Sequence, residues 1–170
     1  MELYIEGQEP HVIVSGENLD LSKEEVRSLA QQYVSKHALL DNPLMNGASM
    51  HVPGWIICDR FTRIWFARLP YESVVGRIGA DCSGHFSWVQ LTGSLSIADE
   101  GIKEWEYDSA YGKLHRSADV DLLTTPRARC YSYDSEVWVG RNDMLVTFHS
   151  GTTKYFDTWE TAWTLIDCDV

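Results

Sequence analysis

Residues 153–166 read Thr-Lys-Tyr-Phe-Asp-Thr-Trp-Glu-Thr-Ala-Trp-Thr-Leu-Ile, and the fold class turns on how this stretch is divided. Residues 154–156 follow the turn signal Ser150-Gly151-Thr152-Thr153, so they pair with the apolar run at 144–149 as a β-hairpin. Asp157, with Glu160 three residues on, has the form of a capping box, which satisfies the orphan N–H groups of a first helical turn. Trp159, Ala162, Trp163 and Ile166 then fall at i, i+3, i+4 and i+7, one face of a helix. This division predicts a hairpin followed by a short C-terminal helix whose two tryptophans cover the sheet.

Upstream, residues 128–133 and 137–139 read as strands, with Gly140-Arg141-Asn142-Asp143 as a turn before 144–149. Aromatic and β-branched segments at 55–58, 62–69, 86–91, 94–97 and 103–107 predict further strands. Segment 62–69 is bulky on both faces, which suits a central strand covered on both sides. Residues 41–54, with Asn46-Gly47 and Pro53-Gly54, read as a loop, and 15–18 as a turn. Near the start, short strands are expected at 3–6 and 11–14, then a helix over 22–40. Ser22 and Glu25 form its capping box. Val26, Leu29, Ala30, Tyr33 and Val34 recur on one face, and Asp41-Asn42-Pro43 stops it. The prediction is an α+β fold in a single domain, 1–170. It has a mostly antiparallel sheet, one long N-terminal helix, and a short C-terminal helix after a β-hairpin.

The chain is acidic, with a formal net charge of -11 on 170 residues, and the charge is segregated. Residues 1–25 carry seven acids against one lysine, 81–112 six against one, and 155–170 four with no base. Within the central block Asp99, Glu100, Glu104, Glu106 and Asp108 are interleaved with Trp105 and Tyr107. Acids beside aromatics suit a recognition surface, where rings anchor and carboxylates pair with a partner's Arg or Lys. No Lys/Arg-rich run is present, so direct binding to nucleic acid or to an anionic membrane is not expected. The N-terminus is acidic where a secretory signal would be basic, and the apolar runs are only a few residues long, so a cytoplasmic protein is expected.

Four cysteines stand at 58, 82, 130 and 168 with no Cys-x-x-Cys pair. Without a secretory signal their even count does not imply disulfides, and Cys58 reads as a small core residue. Asp81-Cys82-Ser83-Gly84 resembles the nucleophile motif of the NlpC-type cell-wall endopeptidases, a match of four residues. The resemblance implies Cys82 as nucleophile at a helix N-terminus, His149 as base, and Asp157 or Glu160 to orient it. No metal site is expected, since Cys82-x-x-His85 lacks a second half at any usual zinc spacing. No glycine-rich phosphate loop or serine-hydrolase motif occurs, and no cofactor is expected.

The function favoured by charge, size and missing motifs is a small acidic binding protein, more simply not an enzyme. It would inhibit a basic nucleic-acid-handling partner, as a phage-type anti-defence inhibitor or a toxin-immunity protein does. The partner-binding residues would be Asp99, Glu100, Glu104, Trp105, Glu106, Tyr107 and Asp108. The alternatives are a cysteine hydrolase built on Cys82 and an accessory subunit of an intracellular assembly, docking through an apolar patch near Trp55 or Trp88.

Overall fold

The structure, a computed structural model, describes residues 1–13, 21–40, 53–69, 71–97, 106–113, 119–130, 135–160 and 164–168. In chain order the elements are β1 (Glu2–Ile5), β2 (His11–Val12), α1 (Lys23–Leu40), β3 (Trp55–Ala67), β4 (Ser73–His85), β5 (Trp88–Ile97), β6 (Glu106–Lys113), β7 (Asp119–Thr124), β8 (Arg127–Arg129), β9 (Ser135–Thr147), β10 (Thr153–Glu160) and β11 (Thr164–Asp167). Sheet A has the order β2-β1-β3-β4-β7, with β8 on the same strand β4 as β7. Sheet B has the order β10-β9-β5-β6, with β11 also on β9. Every pairing is antiparallel.

The two sheets face each other as a sandwich, because alternate residues of the long central strands are apolar. Ile56, Ala80, Cys82, Val89, Leu91, Leu122, Met144 and Val146 form one core between them. Val74, Leu95, Trp138 and Ile166 form a second at the other end. Glycines separate the two. A Cβ on Gly93 would lie 2.6 Å from Thr124 Cγ2, and one on Gly140 would lie 2.7 Å from Thr62 Cγ2. The sheets therefore approach closely at this waist, which only residues without a side chain allow. Asn142, fully buried there, donates its amide across the sandwich to the carbonyl of Gly79 at 2.9 Å.

The outside of sheet A carries α1. Val26, Ala30 and Val34, at i, i+4 and i+8, bury against Leu3, Ile5, Trp55 and Ile57. Each buried valine contributes about 1.5–3 kcal/mol, whereas exposed ion pairs contribute about 0–1 kcal/mol, so the apolar seam holds the helix. Leu29, expected on that seam, is instead 40% exposed. The capping box forms: Glu25 accepts from the Ser22 N–H at 2.8 Å, and Ser22 Oγ accepts from the Glu25 N–H at 3.3 Å.

The α+β expectation is corrected to an all-β sandwich with a single helix among the described residues. Among the described residues no helix follows the C-terminal hairpin. Strand β10 continues to Glu160, and Asp157-Thr158, which read as a cap, sits where the register on β9 shifts between Phe156 and Trp159. A bulge and a helix cap draw on the same polar, turn-prone residues. Ile166, assigned to the helix face, is buried in β11. Ala162 and Trp163 lie outside the described residues, as do the predicted turn at 15–18 and most of the loop at 41–54.

Gly140-Arg141-Asn142-Asp143 is not a turn but the middle of β9. The segments 55–58 and 62–69 are one strand, and 86–91 and 94–97 fall largely within another. Cys58 and Cys82 stand directly opposite each other on β3 and β4 and are joined by a disulfide, and Cys130 is joined to Cys168. The first bridge depends on the β3–β4 register and the second joins the chain after β8 of sheet A to the chain after β11 of sheet B, and spacing along the chain reveals neither. No described helix is long and apolar enough to cross a membrane.

Candidate functional site

Segment 62–69 is covered on one side only. From Asp59 onward β3 alternates: Asp59, Phe61, Arg63 and Trp65 are exposed, and the residues between them are partly buried. α1 covers the end of the sheet near Trp55 and Ile57, and beyond it the outer face of sheet A is open. The register arranges that face in cross-strand rows, each about 6.6–6.8 Å from the next.

The first row is Asp59, Asp81 and Asp121. Lys23, at the start of α1, lies 2.5 Å from Asp81 and 3.1 Å from Asp121, and Arg27 lies 3.5 Å from Asp119. The Ser83 hydroxyl donates to Asp119. Burial raises the Asp81 carboxyl above its ordinary range. Lys23 works against that rise, and the neighbouring Asp121 adds to it. Asp121 is held below the ordinary range, first by Lys23 and then by Asp81. Burial opposes the Lys23 ammonium, but the two carboxylates outweigh it and its pKa is raised. This row is thus the pin between α1 and the sheet.

The next row is Phe61, Gly79 and Leu123. The tip of the Phe61 ring lies where a Gly79 side chain would stand, so the absence of a side chain there makes room for the ring. Then come Arg63 and Arg77, directly opposite each other and both exposed. Neither has an ion-pair partner among the described residues. After them follow Trp65, Val75 and Arg127, then Ala67, Ser73 and Arg129. Tyr71 lies beneath Arg129 and Arg127, whose guanidinium carbons are 4.9 and 5.7 Å from its ring centre. Arg127 is fixed by donating to the Leu69 carbonyl at 3.0 Å and to Ser73 Oγ at 3.2 Å. Phe61, Trp65, Tyr71 and Leu123 are 38–47% exposed. The result is a flat face of arginines and aromatic rings on a chain of net charge -11.

The residues expected from the sequence lie elsewhere. Cys82 is fully buried on the inner side of β4, with its sulfur bonded to Cys58, so it offers no thiolate and heads no helix. His149 is exposed in the β9–β10 turn, its ring 4.8 Å from that of His85. Asp157 belongs to β10. Asp99, Glu100, Glu104 and Trp105 lie outside the described residues. Glu106, Tyr107 and Asp108 pair with Leu95, Ser94 and Gly93 on β6, the outermost strand at one side of sheet B. Trp55 is core, packed under α1, and Trp88 is half-buried. A cleft of about 340 Å³ between the sheets is lined by Ile56, Cys58, Met144 and Phe156, with Asp59 and Arg60 at its rim.

Sequence reasoning missed the arginine–aromatic face. The only local signal was Phe61-x-Arg63-x-Trp65, a period-2 stripe of rings and charge alternating with Thr62, Ile64 and Phe66. No protein-family model matches the chain, and no curated protein matches it.

Proposed function

We propose that this protein is a binding module rather than an enzyme, and that its partner docks on the outer face of sheet A. The observation that carries the reading is the exposed set Phe61, Trp65 and Tyr71 around the directly opposed Arg63 and Arg77, which have no ion-pair partner among the described residues. Trp, Tyr and Arg dominate binding hot spots, because large rings and planar guanidinium groups gain most from losing water. Exposed rings gathered on one face mark an interaction site more often than scattered ones do.

A second reading keeps the acidic stretch 99–108 as the contact for a basic, nucleic-acid-handling partner such as a nuclease. Its support is the position of Glu106 and Asp108 on the edge strand β6, where a partner has access. Inhibition of that partner and a cytoplasmic setting belong to this second reading.

One capture experiment separates the readings. Tagged protein is incubated with lysate at low and high salt, beside Arg63→Glu/Arg77→Glu/Trp65→Ala, Glu104→Lys/Glu106→Lys, and Tyr155→Ala on sheet B. Loss of partners in the first variant alone is expected. Loss in the second alone would transfer the site to 99–108, and equal capture by all would overturn both.

A further inference from the structure

We propose that the outer face of sheet A binds single-stranded nucleic acid, with Arg63 and Arg77 on phosphates and Phe61 and Trp65 stacking bases. This rests on reading that face as the docking site. Like charges placed directly opposite on neighbouring strands destabilise a sheet. Arg63 and Arg77 are so placed and have no ion-pair partner among the described residues, so a bound anion would relieve their repulsion.

The rings give the anion its class. Phe61 and Trp65 flank Arg63 two residues to either side on one strand, in steps of about 6.6–6.8 Å. Ring, charge and ring therefore alternate along a line, as base and phosphate alternate along a nucleic-acid strand. The Phe61 ring reaches over Gly79, with its tip where a Gly79 Cβ would stand, and it is 38% exposed, which leaves ring surface for a base. Tyr71 under Arg127 and Arg129 extends the track toward the sheet edge. An acidic peptide would use the arginines, but its side-chain anchors need concave pockets, and these rings stand on a flat face. A duplex keeps its bases edge-on in the grooves, where rings on a flat sheet cannot stack on them.

The net charge of -11 does not forbid the contact. At physiological salt charges are screened over about 8 Å. Of the nearest acids, Asp81 and Asp121 are engaged by Lys23.

The test is fluorescence anisotropy with labelled oligo(dT) and oligo(U) of about 12 nucleotides, a length within the usual span of such platforms. Binding is expected to weaken with salt at a log–log slope of about -1.4 for two phosphates. Arg63→Ala/Arg77→Ala is expected to weaken binding about tenfold or more and to flatten that slope. Trp65→Ala is expected to weaken it about tenfold with the slope unchanged, and Trp65→Phe to restore most of the loss. Each variant is first checked for wild-type melting temperature. The same sequence as a duplex is expected to bind much more weakly.

No oligonucleotide binding at low salt, or binding indifferent to all three variants, overturns the proposal. A poly-glutamate peptide that binds the face in place of the oligonucleotide also overturns it, but leaves the docking face intact. If the capture variants of the preceding section are silent as well, the docking face itself fails.

Discussion

Asp81 and Asp121 share one ammonium, and their ionisations are linked through it. Asp121 is held low first by Lys23 and then by Asp81, whereas Asp81 is held high first by burial, with Lys23 opposing the rise and Asp121 adding to it. Replacing Asp121 with Asn is therefore expected to lower the Asp81 pKa, and Lys23→Met to raise both, as read by carboxyl ¹³C NMR titration. An Asp81 value unmoved in Asp121→Asn would contradict that coupling. For stability the signs are opposite. Asp121, depressed, contributes above the ordinary carboxylate value of about 3.9 and loses that contribution as pH falls through its lower folded value. Asp81, raised, regains stability as it takes up its proton earlier in the same descent. Lys23, raised, contributes up to about pH 10.4 and loses it as pH climbs through its higher folded value. As pH falls, the Lys23–Asp81 charge pair is thus lost first and the Lys23–Asp121 pair only at lower pH, and in strong alkali Lys23 releases both. At this scale the chain is partly legible. Ser22 and Glu25 act locally, so their cap can be read directly. Arg63 cannot be assigned its role alone, because Arg77 reaches it only through strand pairing.

Strands β4 and β9 were the elements hidden from the sequence, and glycine hid both. Gly76, Gly79 and Gly84 punctuate β4, and Gly140 opens the turn-like run in β9. Read alone, a glycine marks a turn. Read in the fold, each leaves room for a neighbour: Leu95 and Pro126 at Gly76, the Phe61 ring at Gly79, the Trp55 backbone at Gly84, Thr62 and Ile64 at Gly140. The four-residue resemblance of Asp81-Cys82-Ser83-Gly84 to a nucleophile motif implied a helix N-terminus, but these residues lie within β4. At the C-terminus the helical spacing of Trp159, Ala162, Trp163 and Ile166 was outweighed by strand partners on β9. Periodicity over a few residues cannot register a bulge. The waist supplies a direct check. Gly140→Ala is expected to cost about 1–3 kcal/mol by overpacking, and in a Thr62→Ala background less than half of that. Urea denaturation of the four proteins in the cycle measures it. Simple additivity would mean that close approach is not what the glycine provides.

The whole molecule separates two properties that the composition merges. A charge of -11 is an average, and the fold gathers Arg63, Arg77, Arg127 and Arg129 on one side from three strands. No run along the chain announces that gathering, because the four arginines meet only through strand pairing. The bridges divide the molecule in another way. One closes residues 58 to 82 into a ring and the other closes 130 to 168, and the segment between the rings belongs to neither. A backbone cut inside either ring leaves a covalently single molecule. A cut among residues 98–105 yields two polypeptides, each with its own ring, held together by the pairing of β5 with β6 and β9 and of β4 with β7 and β8, and by the shared cores. Fragments 1–100 and 101–170, mixed in oxidising buffer, are expected to co-elute and recover native circular dichroism. Separate elution as unfolded chains would count against it. The protein is in this sense already divided for use as a split reporter, with its break point inside its most acidic stretch.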